Sequence, residues 1–173
     1  MGVCGVGKTT IAHLLTKEMG ATYIEADDFH SAENVELMRN GIALNDNQRW
    51  GWLDAVGEAV SKKDRGCVIA CSALKVVYRD RLRAKIPNLC IVHLIAEEGL
   101  LRARMEVREN HFMHPDLITS QFEALQHTLP TENAIEISAT LDPTEIVKIA
   151  KEFASIYLQG GAQNKQSQEQ NQQ

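Results

Sequence analysis

Gly2-Val3-Cys4-Gly5-Val6-Gly7-Lys8-Thr9 opens the chain, and the rest is read outward from it. The stretch fills every fixed position of G-x-x-x-x-G-K-[ST]. In that loop the glycines let main-chain N–H groups turn inward around phosphates. Lys8 then brings a cation to the β- and γ-oxygens, and the Thr9 hydroxyl ligates Mg²⁺. The expected nucleotide set is Gly2, Val3, Cys4, Gly5, Val6, Gly7, Lys8, Thr9 and Thr10, with ATP as co-substrate and Mg²⁺ as its cofactor. Ile11 to Met19 reads as an amphipathic helix ended by Gly20, which adds a positive dipole end to the anion site. Cys4 lies inside the loop, where alkylation is expected to block the nucleotide.

Beyond the loop, helix and strand alternate. Ala21 to Ala26 is a short strand, Glu33 to Asn40 a helix closing at Gly41, and Arg49 to Lys62 a helix capped by Asn45 or Asp46. Cys67 to Cys71 and Cys90 to Ile95 are continuous apolar runs, as strands buried on both faces of a parallel sheet require. Helices are expected over Lys75 to Lys85, Glu97 to Glu109, Pro115 to His127 and Pro143 to Leu158, with a last strand at Ala134 to Ser138. This alternation predicts one three-layer α/β domain over residues 1–159 with a mostly parallel sheet. Residues 160–173, rich in Gln, Asn, Ser and Gly, read as a disordered polar tail.

Bulk composition excludes several classes of function. A net charge of −5 supplies no basic field for nucleic acid or acidic membranes. No apolar run approaches the ~20 residues that span a bilayer, and no secretory pattern is seen. The four cysteines lack short paired spacing, so a reduced, cytoplasmic protein is expected. His93, inside an apolar strand, reads as a packed core residue, and His13 has no evident role.

Glu25-Ala26-Asp27-Asp28-Phe29-His30 places carboxylates just past a strand's carboxyl end, beside the phosphate loop. Phosphoryl transfer to an alcohol uses one such carboxylate to take the hydroxyl proton. Another can hold a water on Mg²⁺.

Ala26-Asp27-Asp28-Phe29-His30, Gly41-Ile42-Ala43-Leu44-Asn45-Asp46, Arg49, Trp52-Leu53, Cys71-Ser72-Ala73-Leu74-Lys75, Tyr78-Arg79-Asp80, His111-Phe112-Met113 and Gln121-Phe122-Glu123 resemble, in order, the successive motifs of gluconokinases. These are small P-loop kinases of the shikimate-kinase-like group. The resemblance implies ATP-dependent phosphorylation of D-gluconate, a small-molecule substrate, to 6-phosphogluconate. It implies Asp27 as catalytic base beside Lys8, and Glu25 as support for Mg²⁺ through water. It also implies Asp27, His30, Arg49, Lys75 and Arg79 as substrate-binding residues, since a sugar acid needs cations for its carboxylate. A lid over about residues 102–114 carries Arg104 and Arg108, four apart on one helix face, to close over the transferring phosphate. Asn110 stands where the family pattern usually has Gly. Family members are often dimers, so a homodimer is the implied protein partner.

Gluconokinases begin with an apolar strand that ends at the loop's first glycine. Here it is represented by Met1, so the expected sheet has its N-terminal central strand largely missing. About five buried apolar residues at ~1.5–3 kcal/mol each correspond to roughly 7–15 kcal/mol, the size of a typical domain's net stability. The chain as written is therefore expected to be less stable and less active than one carrying that strand. The alternative functions are a weak or inactive nucleotide-binding isoform, or a kinase for another small sugar acid.

Overall fold

The computed structural model describes residues 1–106 and 117–170, with side chains described as far as residue 158. Arg108, Asn110, the His111-Phe112-Met113 motif and most of the expected lid lie outside these residues.

The first helix, α1 (Lys8–Met19), leaves the phosphate loop directly and ends at Gly20, whose N–H reaches the Thr16 carbonyl. The strands that follow are β1 (Thr22–Glu25), β2 (Cys67–Ala70), β3 (Ile91–Ile95) and β4 (Ala134–Ser138). They form two parallel pairs, β1 with β2 from Thr22↔Cys67 to Glu25↔Ala70, and β3 with β4 from Ile91↔Ala134 to Ile95↔Ser138. Parallel pairing requires helical crossovers. These are α2 (Ala32–Arg39) and α3 (Asp46–Ser61) in the first pair, α5 (Glu98–Glu106) and α6 (Leu117–Ala124) in the second, with α4 (Val76–Lys85) joining the pairs and α7 (Pro143–Gln170) closing the chain.

Alternation along each strand separates two cores. Val68, Val92, Leu94 and Ile137 pack with Ile11, Leu15, Val147 and Ala150 beneath α1 and α7. Ile69 and Cys71 pack with Trp52, Leu53, Val56, Tyr78 and Leu82 beneath α3 and α4. A smaller cluster of Cys4, Met38, Leu44, Met105, Leu117 and Ile118 gathers α2, α5 and α6 against the phosphate loop. This is the expected three-layer arrangement.

Met1 lies where the expected central strand would run. Its amino group bonds the Val92 carbonyl, and its carbonyl accepts from the Leu94 N–H at 2.9 Å, so this one residue lies along β3 as a strand neighbour would.

α3 begins at Asp46, three residues before the expected Arg49, and two further boundaries differ more widely from the sequence reading. α6 spans Leu117–Ala124 and stops short of His127, because Gln126 is drawn aside: its N–H meets the Leu74 carbonyl at 3.0 Å and its Oε1 accepts from Val76 N–H at 2.7 Å. α7 runs to Gln170, through the segment expected to be a disordered tail. Ala, Gln, Glu and Lys are good helix formers, and nothing after Gly160-Gly161 forbids continuation.

Candidate functional site

The phosphate loop takes its shape from positive-φ glycines. Gly2 (φ 146°) is pressed against β3, where a Cβ would stand 2.6 Å from the Leu94 carbonyl oxygen. Gly7 (φ 100°) caps α1 in the left-handed region that side-chain-bearing residues avoid. α1 therefore aims its N-terminal amides, and the positive end of its dipole, into a cleft of about 270 Å³. The cleft is lined by Gly5, Lys8, Thr9, Glu25 and Asp27, together with Ser72. Cys4 and Gln121 also border it. The loop and the carboxylates at and just past the end of β1 thus share one cavity.

Within it, the Thr9 hydroxyl donates to Glu25 Oε2 at 2.9 Å, and Tyr23 donates its phenol to the same oxygen at 2.6 Å. Burial, then the Glu25 bond, pushes the Tyr23 phenol well above its usual range, which keeps it a donor. His13 stacks on the Tyr23 ring at 3.9 Å between centroids, which supplies the role the sequence left open. Lys8 lies across its own loop, with Nζ 3.1 Å from the Val3 carbonyl.

Asp27 sits on a 3₁₀ turn, Ala26–Phe29, that follows β1. Trp52 of α3 donates its indole N–H to the Ala26 carbonyl at 2.6 Å, tying this turn to α3. Burial raises the Asp27 carboxyl above its ordinary value, opposed by the charge of Lys8. Glu25 and Asp28 add to the rise and Arg49 opposes it.

His30 stacks nearly parallel on Trp52, 4.4 Å between centroids, with Nε2 4.0 Å from Asp27 Oδ1. Burial, and then Arg49, lower its pKa to about 4. At neutral pH His30 is therefore an uncharged partner and not a cation.

Arg49, Lys75, Tyr78 and Asp46 form the adjoining wall. Asp46 Oδ1 accepts from Lys75 Nζ at 2.6 Å and also from the Tyr78 hydroxyl. The Arg49 guanidinium lies 5.6 Å from the Tyr78 ring centre and the Lys75 ammonium 5.5 Å from it. The field of Arg49 is felt at Asp27, His30, Asp46 and Tyr78 alike, which makes these one electrostatic group.

Arg79 departs from the expectation. It has no exposed surface and forks onto Glu132 (Nε–Oε1 2.6 Å, Nη2–Oε2 2.8 Å). Its remaining donors meet the carbonyls of Leu74, Gln126 and His127 at 2.9, 3.0 and 3.1 Å. A guanidinium so occupied holds the β2–α4 and α6–β4 connections together and has no donor left for a substrate. Arg104 also is not among the cleft-lining residues; its Nη2 donates to the Ala139 carbonyl at 3.1 Å, just past β4. Its neighbour Met105 faces the loop instead, with Cγ 3.2 Å from where a Gly5 Cβ would stand. His93 is 1% exposed and bonded to Glu136 at 3.0 Å, the core residue expected.

For Mg²⁺ the donors present are hard oxygens, Thr9 Oγ1 and Glu25, at the mouth of the anion-binding loop. No cluster of three or more His, Cys, Asp or Glu able to hold a metal occurs among the described residues. Mg²⁺ is ordinarily held by one or two protein oxygens together with phosphates and waters, a role to which Thr9 Oγ1 and Glu25 are suited.

The AAA domain family model matches residues 1–131. A gluconokinase of Arabidopsis thaliana is 37% identical over 174 residues, spanning 91% of this chain and 92% of that protein. The solved structure of a gluconokinase from Sinorhizobium meliloti is 36% identical, with a TM-score of 0.80 over 97% of this chain and 94% of that one. An unliganded sugar kinase from a Janibacter species is 40% identical, with a TM-score of 0.85 over 90% and 92% of the two chains. The phosphate loop, the acidic turn after β1 and these relatives agree, and the chain belongs to the gluconokinase family of P-loop kinases.

Proposed function

We propose that this chain transfers the γ-phosphoryl group of Mg-ATP to the terminal hydroxyl of D-gluconate, giving 6-phosphogluconate and ADP. The observation that carries the reading is the single cleft in which Lys8, Thr9, Glu25 and Asp27 meet, with the Arg49–Lys75 wall beside it. The loop amides and Lys8 hold the phosphates; Lys8 gives up the Val3 carbonyl to do so. Thr9 and, through water, Glu25 hold Mg²⁺, which neutralises charge on the phosphates. Asp27 takes the proton of the attacking hydroxyl, and its elevated pKa brings it nearer the range of an effective base. Arg49 and Lys75 hold the sugar-acid carboxylate. Neutral His30 offers a hydrogen bond to a substrate hydroxyl. The protein works in the cytoplasm, as a homodimer. No helix of the described residues is long and apolar enough to cross a membrane.

The test is ADP release from Mg-ATP by the purified chain with and without gluconate. Release that depends on gluconate and is abolished in Lys8→Ala is the expected result. Absence of gluconate-dependent release overturns the substrate assignment, and release unaffected by Lys8→Ala overturns the site.

A further inference from the structure

Gln121 lies on α6, far along the chain from the phosphate loop, yet its Oε1 accepts the main-chain N–H of Cys4 at 2.8 Å. The residue is 7% exposed and borders the same cleft as Lys8, Thr9 and Asp27. A main-chain N–H can be met only by an acceptor, so this bond fixes which end of the carboxamide faces the loop.

Cys4 is the third residue of the loop, ahead of the turn through Gly5 and Gly7 that aims the following amides at the anion. A site that binds phosphate through fixed amides works best when they are oriented before the ligand arrives. Met105 against Gly5, with Leu117 and Ile118 in the cluster around Cys4, adds apolar packing on this part of the loop. Apolar packing excludes water but does not set the direction of a peptide plane. A buried bond from a side-chain carbonyl to a loop amide does.

We propose that Gln121 is a positioning residue for phosphoryl transfer, holding the Cys4 amide so that the nucleotide loop is set before ATP binds and is coupled to α6. This rests on the nucleotide-loop part of the proposed function and not on the identity of the acceptor.

The test compares wild type with Gln121→Met, which keeps volume and loses the acceptor. Mg-ADP affinity is read by calorimetry, KM for ATP and gluconate by ADP release, and exchange of the Cys4 amide by NMR in the nucleotide-free protein. The expected result is Mg-ADP binding weakened about five- to tenfold, the size of one lost buried hydrogen bond. KM for ATP should rise in parallel, with KM for gluconate within twofold of wild type. A purely structural role would move both KM values, or the melting temperature, together. In wild type the Cys4 amide should be protected before nucleotide is added, a check that does not depend on the variant folding. An unprotected Cys4 amide, or a folded Gln121→Met that binds Mg-ADP as wild type does, overturns the proposal. Wild type that binds Mg-ADP without gluconate-dependent turnover overturns only the acceptor assignment.

Discussion

The Thr9 hydroxyl and Glu25 Oε2 stand 2.9 Å apart, and the Tyr23 phenol shares the same carboxylate oxygen. The expected magnesium ligand and the carboxylate expected to support its water are therefore already hydrogen-bonded to each other, with Tyr23 fixing the rotamer of Glu25. Groups that orient metal-site ligands typically matter by 10–100-fold. Tyr23→Phe should raise the Mg²⁺ concentration for half-maximal rate by roughly tenfold, read by titrating Mg²⁺ at fixed ATP. An unchanged Mg²⁺ requirement would show that Tyr23 does not orient this site.

Asp27 is costly to ionise where it sits, because burial outweighs the help of Lys8. Its folded pKa is raised, so its contribution to stability is greatest at low pH and is lost as pH rises through the folded value. Asp27→Asn should therefore lower kcat by about 10²–10⁴. Its melting temperature at pH 7.5 should equal or exceed that of wild type. A variant that melts clearly lower would mean the carboxylate is structural.

His30 titrates in the opposite sense. Its pKa falls to about 4 from an ordinary 6.5, so the unfolded chain takes up a proton first. Stability should drop as pH falls from about 6.5 toward 4. The groups facing His30 are Asp27 and Arg49, and the lowering follows from burial and Arg49. His30→Phe keeps a ring against Trp52 and removes the titration. The wild-type melting temperature should fall more between pH 7 and pH 5 than that of the variant, measured by circular dichroism.

Arg79 and Glu132 form a buried pair with side chains 1% and 3% exposed. Removing one member leaves the other charge unpaired, at a cost of about 3–5 kcal/mol. Arg79→Leu should lose stability of that order in urea unfolding, while any folded fraction keeps the wild-type KM for gluconate. The Arg79 bond holds Glu132 below its ordinary carboxyl value. The stability from this pair is thus fully present above pH 4.5 and is lost as pH falls through the lower, folded value.

Sequence periodicity located the elements because each carries its signal locally. β4 was read at Ala134 to Ser138 and found there, and Asn45 caps α3 through its bond with Gln48 N–H at 3.1 Å. The phosphate loop was legible for the same reason, since its spacing is its geometry. Arg79 was misread because its burial depends on Glu132 and on carbonyls more than forty residues away. Ser72 and Gln121 fell within quoted motifs, but their place on the cleft comes from the end of β2 and the middle of α6 meeting the loop. No local pattern carries that information. Tyr23 alternates with Ile24 along β1, a signal that could have put its phenol beside Glu25.

The Trp52 bond to the Ala26 carbonyl has a consequence for substrate choice. It fastens the turn bearing the base to the same helix whose first turns bear Asp46 and Arg49, so the two cannot shift independently. On the proposed reading this makes the site a ruler: one mark grips the acid head, the other marks the carbon to be phosphorylated, and α3 is the rigid bar between them. Aldonic acids one carbon shorter or longer should bind with little change in KM yet turn over far more slowly. Loosening the bar with Trp52→Phe should blur that discrimination before it abolishes the reaction.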